Sequence, residues 1–259
     1  MYHPFSIGET IKAAWNIIKK NYISLIVYSI ISAAVVKVAS VVVGILFISD
    51  SFYSQITFGL FMLLFQSYLV LSFYKLILTL IDRQYYEFSF KDILPSLNMV
   101  TNFVLIALVY GFLTVTLTFI NFRLQGHEMV FYVLDKLELT AIGYLLIRSI
   151  FCLCFIVDDD SGAFESVKQS FFITSGNFFK VIALILIVVA FVALLLLIIT
   201  GIITLLIDES SPQKDIAVKI AVAGWFSLSF PTVQVMIMAT YRKLVYSHMD
   251  VDEDVSETI

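Results

Sequence analysis

The sequence predicts an all-α polytopic membrane protein: six transmembrane helices in three hairpins, each preceded by a cytoplasmic amphipathic helix in a pseudo-threefold internal repeat. Three observations predict it. Of 259 residues, 60% are apolar and only 14% charged, and the mean hydropathy is +0.98. A soluble domain carries roughly 25% charged residues to wet its surface, so this chain has nowhere aqueous to put its apolar side chains. Six apolar runs reach the roughly 20 residues that a helix needs to cross hydrocarbon. Finally, the segment before the first run recurs before the fifth.

The first run extends from Tyr22 to Ser49, interrupted by Lys37, and the second from about Ser54 to Ile81, with Lys75 near its end. The third, Met99 to Phe122, carries no charge, whereas the fourth, Leu137 to Val157, contains Glu138 and Arg148. The fifth, Val181 to Ile207, is again uncharged, and the sixth, Ile220 to Tyr241, contains Pro231. Only Pro231 is expected to interrupt a span, its missing amide freeing the Ser227 carbonyl. The first apolar run continues well past the core of a secretory leader, so no cleaved leader is expected. The acidic run from Asp250 to Glu257 predicts a disordered tail over 251–259. That leaves 1–250 as one six-span domain, with repeat units of about 5–82, 88–157 and 162–245.

Lysines and arginines in the connections set the orientation. One set holds nine: Lys12, Lys19, Lys20, Arg83, Lys91, Lys168, Lys180, Arg242 and Lys243. The opposite set holds four, Arg123, Lys136, Lys214 and Lys219. Both termini are therefore expected in the cytoplasm, as an even number of spans requires.

The repeat is read without a gap. Glu9-Thr10-Ile11-Lys12-Ala13-Ala14-Trp15-Asn16-Ile17, continuing to Asn21-Tyr22, aligns with Glu165-Ser166-Val167-Lys168-Gln169-Ser170-Phe171-Phe172-Ile173, continuing to Asn177-Phe178. A weaker copy starts at Phe88-Ser89, echoing Phe5-Ser6, and runs through Asp92, Leu94 and Asn102-Phe103 with a two-residue shortening and Pro95. Ser6-x-x-Glu9 and Ser89-x-x-Asp92 are helix-start signatures, and Asp158 to Ser161 is expected to cap the third copy. Ile11, Trp15 and Ile18 share one helical face, as do Phe164, Val167 and Phe171, with Lys12 and Lys168 on the other. Such helices lie at the bilayer surface, apolar side toward lipid. With Lys19 and Lys20 they either buttress the bundle or form a docking surface for a protein partner or anionic lipid.

The net charge of −4 excludes a basic nucleic-acid binder. Cys152 and Cys154 read as reduced, buried thiols; His3, His127 and His248 form no metal spacing. Asp158, Asp159 and Asp160 are adjacent, so they read as a solvated turn rather than a cation site. No cofactor is expected. Phosphate loops, zinc-protease helices, nucleophile elbows and paired intramembrane aspartates are absent from the sequence, so no enzyme is expected.

Arg148 is the sharpest candidate, because an ionisable group deep in a bilayer is costly. Thr140, Tyr144, Arg148 and Cys152 recur every four residues and predict one polar stripe. Either the guanidinium is a strut, hydrogen-bonded by the Ser227 carbonyl, Gln66 and Gln234, or it holds an anionic ligand such as a phospholipid headgroup. An ion or solute path is the third reading. Lys75 and Lys37 are placed to reach the headgroups.

The run Phe5-Ser6-Ile7-Gly8-Glu9 with Ala14-Trp15 and Lys19-Lys20-Asn21 resembles the opening of a broad group of six-span bacterial membrane proteins. That group includes the membrane domain of glycerophosphoryl diester phosphodiesterase and related families without assigned roles. Arg148 through Asp158, Ser161-Gly162-Ala163, Ser170, Gly176-Asn177-Phe178-Phe179, Pro231 and Tyr241-Arg242-Lys243 carry the same resemblance. It implies a membrane module whose fused relatives keep the phosphodiesterase chemistry in a separate soluble barrel, which these residues do not contain. The expected function is a non-enzymatic inner-membrane module that binds lipid or a protein partner. The alternative is a small transporter or lipid translocator whose basic cavity is lined by Lys37, Lys75, Arg148, Gln66 and Gln234.

Overall fold

The computed structural model describes residues 6–47, 51–82, 90–123, 128–207 and 213–256, and all regular structure among them is helical. The helices are α1 (Ile7–Leu46), α2 (Phe52–Asp82), α3 (Leu97–Arg123), α4 (Glu128–Arg148), α5 (Cys152–Asp158), α6 (Ala163–Ser175), α7 (Phe178–Leu206) and α8 (Gln213–Ser256). Six stretches are long and apolar enough to cross a membrane: Ile7–Leu46, Phe52–Asp82, Lys91–Arg123, Met129–Asp158, Phe178–Leu206 and Lys214–Val245. The helix starts expected at Phe5 and at Phe88-Ser89 lie outside the described residues.

The two aligned asparagines mark where a preceding helix becomes a span. In α1 the backbone leaves helical geometry at Asn21 (φ −119°, ψ 18°), and its side-chain amide donates to the Ile17 carbonyl at 3.1 Å. Such local bonds compete with the helix ladder. Asn177 lies in the turn between α6 and α7, its backbone amide donating to Thr174 at 3.3 Å. The third span differs. Among the described residues it is preceded by a short 3-10 turn, Phe90–Ile93, in place of the expected amphipathic helix. Pro95 pushes Leu94 out of the helical region, and the Ser96 hydroxyl then accepts the Met99 amide at 3.1 Å to start α3.

Other expectations are corrected. Pro231 does not interrupt its span, since α8 continues through it, and it is the fourth span that breaks, between α4 and α5 at Ser149–Phe151. That break cuts the polar stripe, leaving Cys152 on a separate helix from Thr140, Tyr144 and Arg148. The acidic turn does not cap α6, whose N-cap is Gly162 with no side-chain bond. Instead Asn98 Nδ2 donates to Asp160 Oδ1 and Asn102 Nδ2 to the Ser161 carbonyl, each at 3.4 Å, while the Ser161 hydroxyl donates to Gln169 Oε1 at 3.0 Å. Asp160 supplies the reversal with φ 51°, a left-handed value that aspartate tolerates better than most residues. Lastly, α8 continues to Ser256, through most of the stretch expected to be disordered. Extending a formed helix costs far less than nucleating one.

The chain divides into two compact units, Met1–Val38 with Phe179–Ile259, and Ala39–Phe178. Within the second, α2 packs on α3 and α5, α3 on α4, α5 and α6, and α6 on α4 and α5. Phe73, Ile77, Phe151 and Ile156 are buried there, as are Leu25, Val181, Met238 and Tyr241 in the first unit.

The faces packed against protein are small and hydroxylated. On α6 they are Ala163, Ser166, Ser170 and Thr174, while Phe164 is 81% exposed. On α1, Thr10, Ala14 and Ile18 are buried and Trp15 is half exposed. In lipid, large apolar side chains gain nothing by hiding, whereas small ones let backbones approach. The aligned positions Thr10 and Ser166, and Ala14 and Ser170, are all fully buried.

Candidate anionic-ligand site at the broken fourth span

The break after Arg148 forms without proline or glycine. The Ser149 amide still donates to Leu145 at 2.9 Å, but Ile150 bonds three residues back, to Ile147, at 3.4 Å. The Phe151 amide leaves the ladder and donates to the Ser170 hydroxyl at 3.1 Å. That hydroxyl donates in turn to the Arg148 carbonyl at 2.7 Å. One buried serine of α6 thus serves both backbone groups that the break releases, which in a bilayer have no water to turn to.

The same helix supplies Phe171 as a neighbour of the Arg148 guanidinium. The Arg148 guanidinium carbon lies 5.0 Å from the Phe171 ring centroid and 5.9 Å from that of Tyr144. Tyr144 is itself held 5.6 Å from Phe178. Arg148 Nε is buried and finds no hydrogen-bond acceptor among the described residues. Of the carboxylates on the same helix, Glu138 accepts from Asn121 Nδ2 of α3 and Asp135 lies against Lys136. A guanidinium with aromatic faces beside it and no carboxylate partner among the described residues keeps its charge available to an anion.

Lys75 is half-buried and donates from Nζ to the Leu94 carbonyl at 2.9 Å. Gln66 is exposed on α2 and Lys37 exposed on α1. Gln234 lies on α8 in the first unit, its Oε1 buried with no donor among the described residues. The expected hydrogen-bond network around the guanidinium is therefore not formed at Nε. Lys12, Lys19, Lys20 and Lys168 are exposed, and both cysteines are buried and outside any disulfide.

Sequence reasoning missed Ser170 as the partner of the break; its only signal was its place in the repeated segment. It also missed Trp225, whose indole Nε1 donates to the Val192 carbonyl at 3.0 Å.

No curated protein and no solved structure matches this chain. A family model described as the membrane domain of glycerophosphoryl diester phosphodiesterase matches residues 118–257. The match runs from the end of α3 through α4, the break, α5, α6 and α7 into α8, over half the sequence. By that match, which takes in Arg148, Ser170 and Phe171 together, the chain belongs to the glycerophosphoryl diester phosphodiesterase membrane-domain family.

Proposed function

We propose that this chain is a non-enzymatic, lipid-binding module of the bacterial inner membrane, with both termini cytoplasmic, that holds an anionic phospholipid headgroup at Arg148. The observation that carries this reading is the buried Nε of Arg148, without an acceptor among the described residues and flanked by Phe171 and Tyr144. A cation kept without a carboxylate partner among the described residues is suited to binding a phosphate. The exposed lysines Lys12, Lys19, Lys20 and Lys168 favour an anionic lipid surface, or an acidic protein partner, on the same side.

The proposal extends to the architecture: three helical hairpins related by an internal repeat, with α6 and the first part of α1 as equivalent helices. Matching burial of Thr10 with Ser166 and Ala14 with Ser170, and matching turns at Asn21 and Asn177, support it.

Native mass spectrometry of the detergent-purified protein, wild type beside Arg148→Ala and Arg148→Lys, tests the lipid reading. Retained anionic phospholipid that is lost in a folded Arg148→Ala variant is the expected outcome. Equal retention by all three refutes it. A second reading, a lipid translocator, draws on the break in the fourth span, since transporters build midplane sites from discontinuous helices. Reconstituted vesicles that move labelled lipid between leaflets, and stop doing so with Arg148→Ala, would favour it.

A further inference from the structure

The first unit contains a cavity of about 480 Å³, within the roughly 300–1,000 Å³ of small-molecule sites. Its walls come from α1 at the Asn21 kink, α7 between Phe191 and Ile199, and α8 on both sides of Pro231. Its depth follows from one bond: Trp225 of α8 donates to the carbonyl of Val192, the midpoint of α7, at 3.0 Å. The chamber therefore reaches from the Asn21 end of the first span to the middle of α7.

Its chemistry is uneven. The hydroxyls on the wall are spent inside α8, Ser229 donating to the Trp225 carbonyl and Thr232 to that of Leu228. Aliphatic and aromatic surface dominates, with Trp15, Tyr22 and Trp225 around it. The single charged lining residue is Lys19, exposed and without an acidic partner among the described residues. Lys19 stands just before the Asn21 kink, at the start of the first span, and the apolar chamber beside it fits a hydrocarbon chain.

We infer that this cavity is a second lipid site, in which an anionic phospholipid lays one acyl chain against Trp15 and Trp225 and presents its phosphate to Lys19. It is separate from Arg148 and stands whether or not that residue binds lipid. The occupant is a phospholipid of net negative charge, because the one cation selects for the headgroup while the walls select only for a chain.

Trp15 and Trp225 are the only two tryptophans of the chain, and both line the cavity. Their fluorescence therefore reports occupancy directly. The full chain is reconstituted with chain-brominated phosphatidylglycerol or chain-brominated phosphatidylcholine, and quenching is followed against mole fraction. Phosphatidylglycerol is expected to associate about fivefold more strongly, the worth of one lysine against an anionic headgroup. Lys19→Gln, a change at an exposed position, should bring the ratio to one, and Leu195→Phe should weaken quenching by both lipids. Arg148→Ala should leave the ratio unchanged, so the two sites are judged separately. Equal quenching by the two lipids in the wild type, or a preference that survives Lys19→Gln, overturns the inference.

Discussion

The hydroxyl of Ser170 is the bond that lets the fourth span stop at Arg148: it donates to the Arg148 carbonyl at 2.7 Å and accepts the Phe151 amide at 3.1 Å. Ser170→Ala removes both partners at once. The expected loss is about 1–3 kcal/mol for each orphaned buried group, read as a lower unfolding midpoint in an SDS titration. Ser170→Thr keeps the hydroxyl and should recover most of it.

Lys75 ties the end of the second span to the turn before α3 through the Leu94 carbonyl. Lys75→Met keeps the length of the stem and deletes the donor. A charged hydrogen bond of this kind is worth about 1.5–3 kcal/mol, so the thermal midpoint in detergent should fall. Lipid retention should not change; a loss of retained lipid would place Lys75 in the binding site instead.

Pro231 frees the Ser227 carbonyl at the level of the cavity. Pro231→Ala restores an amide that can bond the Ser227 carbonyl and adds about 1 kcal/mol of helix bonding. The prediction is a higher thermal midpoint together with weaker bromolipid quenching of the tryptophans. Unchanged quenching would show that the proline does not shape the chamber.

Cys152 is 7% exposed and Cys154 0%. Maleimide should modify neither in the native protein and both once SDS unfolds it, the rate tracking the opening of α5. Rapid native labelling would contradict the packing around the break.

The spans were legible because apolar runs of bilayer length have no other use. The second and third, expected at Ser54–Ile81 and Met99–Phe122, appear as Phe52–Asp82 and Leu97–Arg123. The turn residues Asn21 and Asn177 were legible too, as matched letters in a repeat. The break at Ser149–Phe151 was not, since those residues carry no proline or glycine and the partner that stabilises it stands 22 positions after Arg148. The partner of Lys75 was not legible for the same reason: its acceptor lies 19 residues on, in a turn that periodicity does not mark. Arg148 was found from its charge and Tyr144 from its place four residues earlier on the same helix, whereas Phe171 of α6 became a neighbour only through the tertiary fold. That contact between separate helices leaves no sequence trace.

Along the spans, Thr79, Thr101, Thr114, Thr116, Thr200, Ser227, Thr232 and Thr240 each donate to the carbonyl four residues earlier in their own helix. A hydroxyl settled in this way makes no demand on the helix beside it. Such helix surfaces are slippery rather than keyed. A span can rotate or slide by small steps against its neighbour, as in shear motions, trading van der Waals contact for van der Waals contact without breaking a polar latch. Bonds that join separate helices, those of Ser170, Asn121 and Trp225 among them, then act as fixed pins about which any such movement turns.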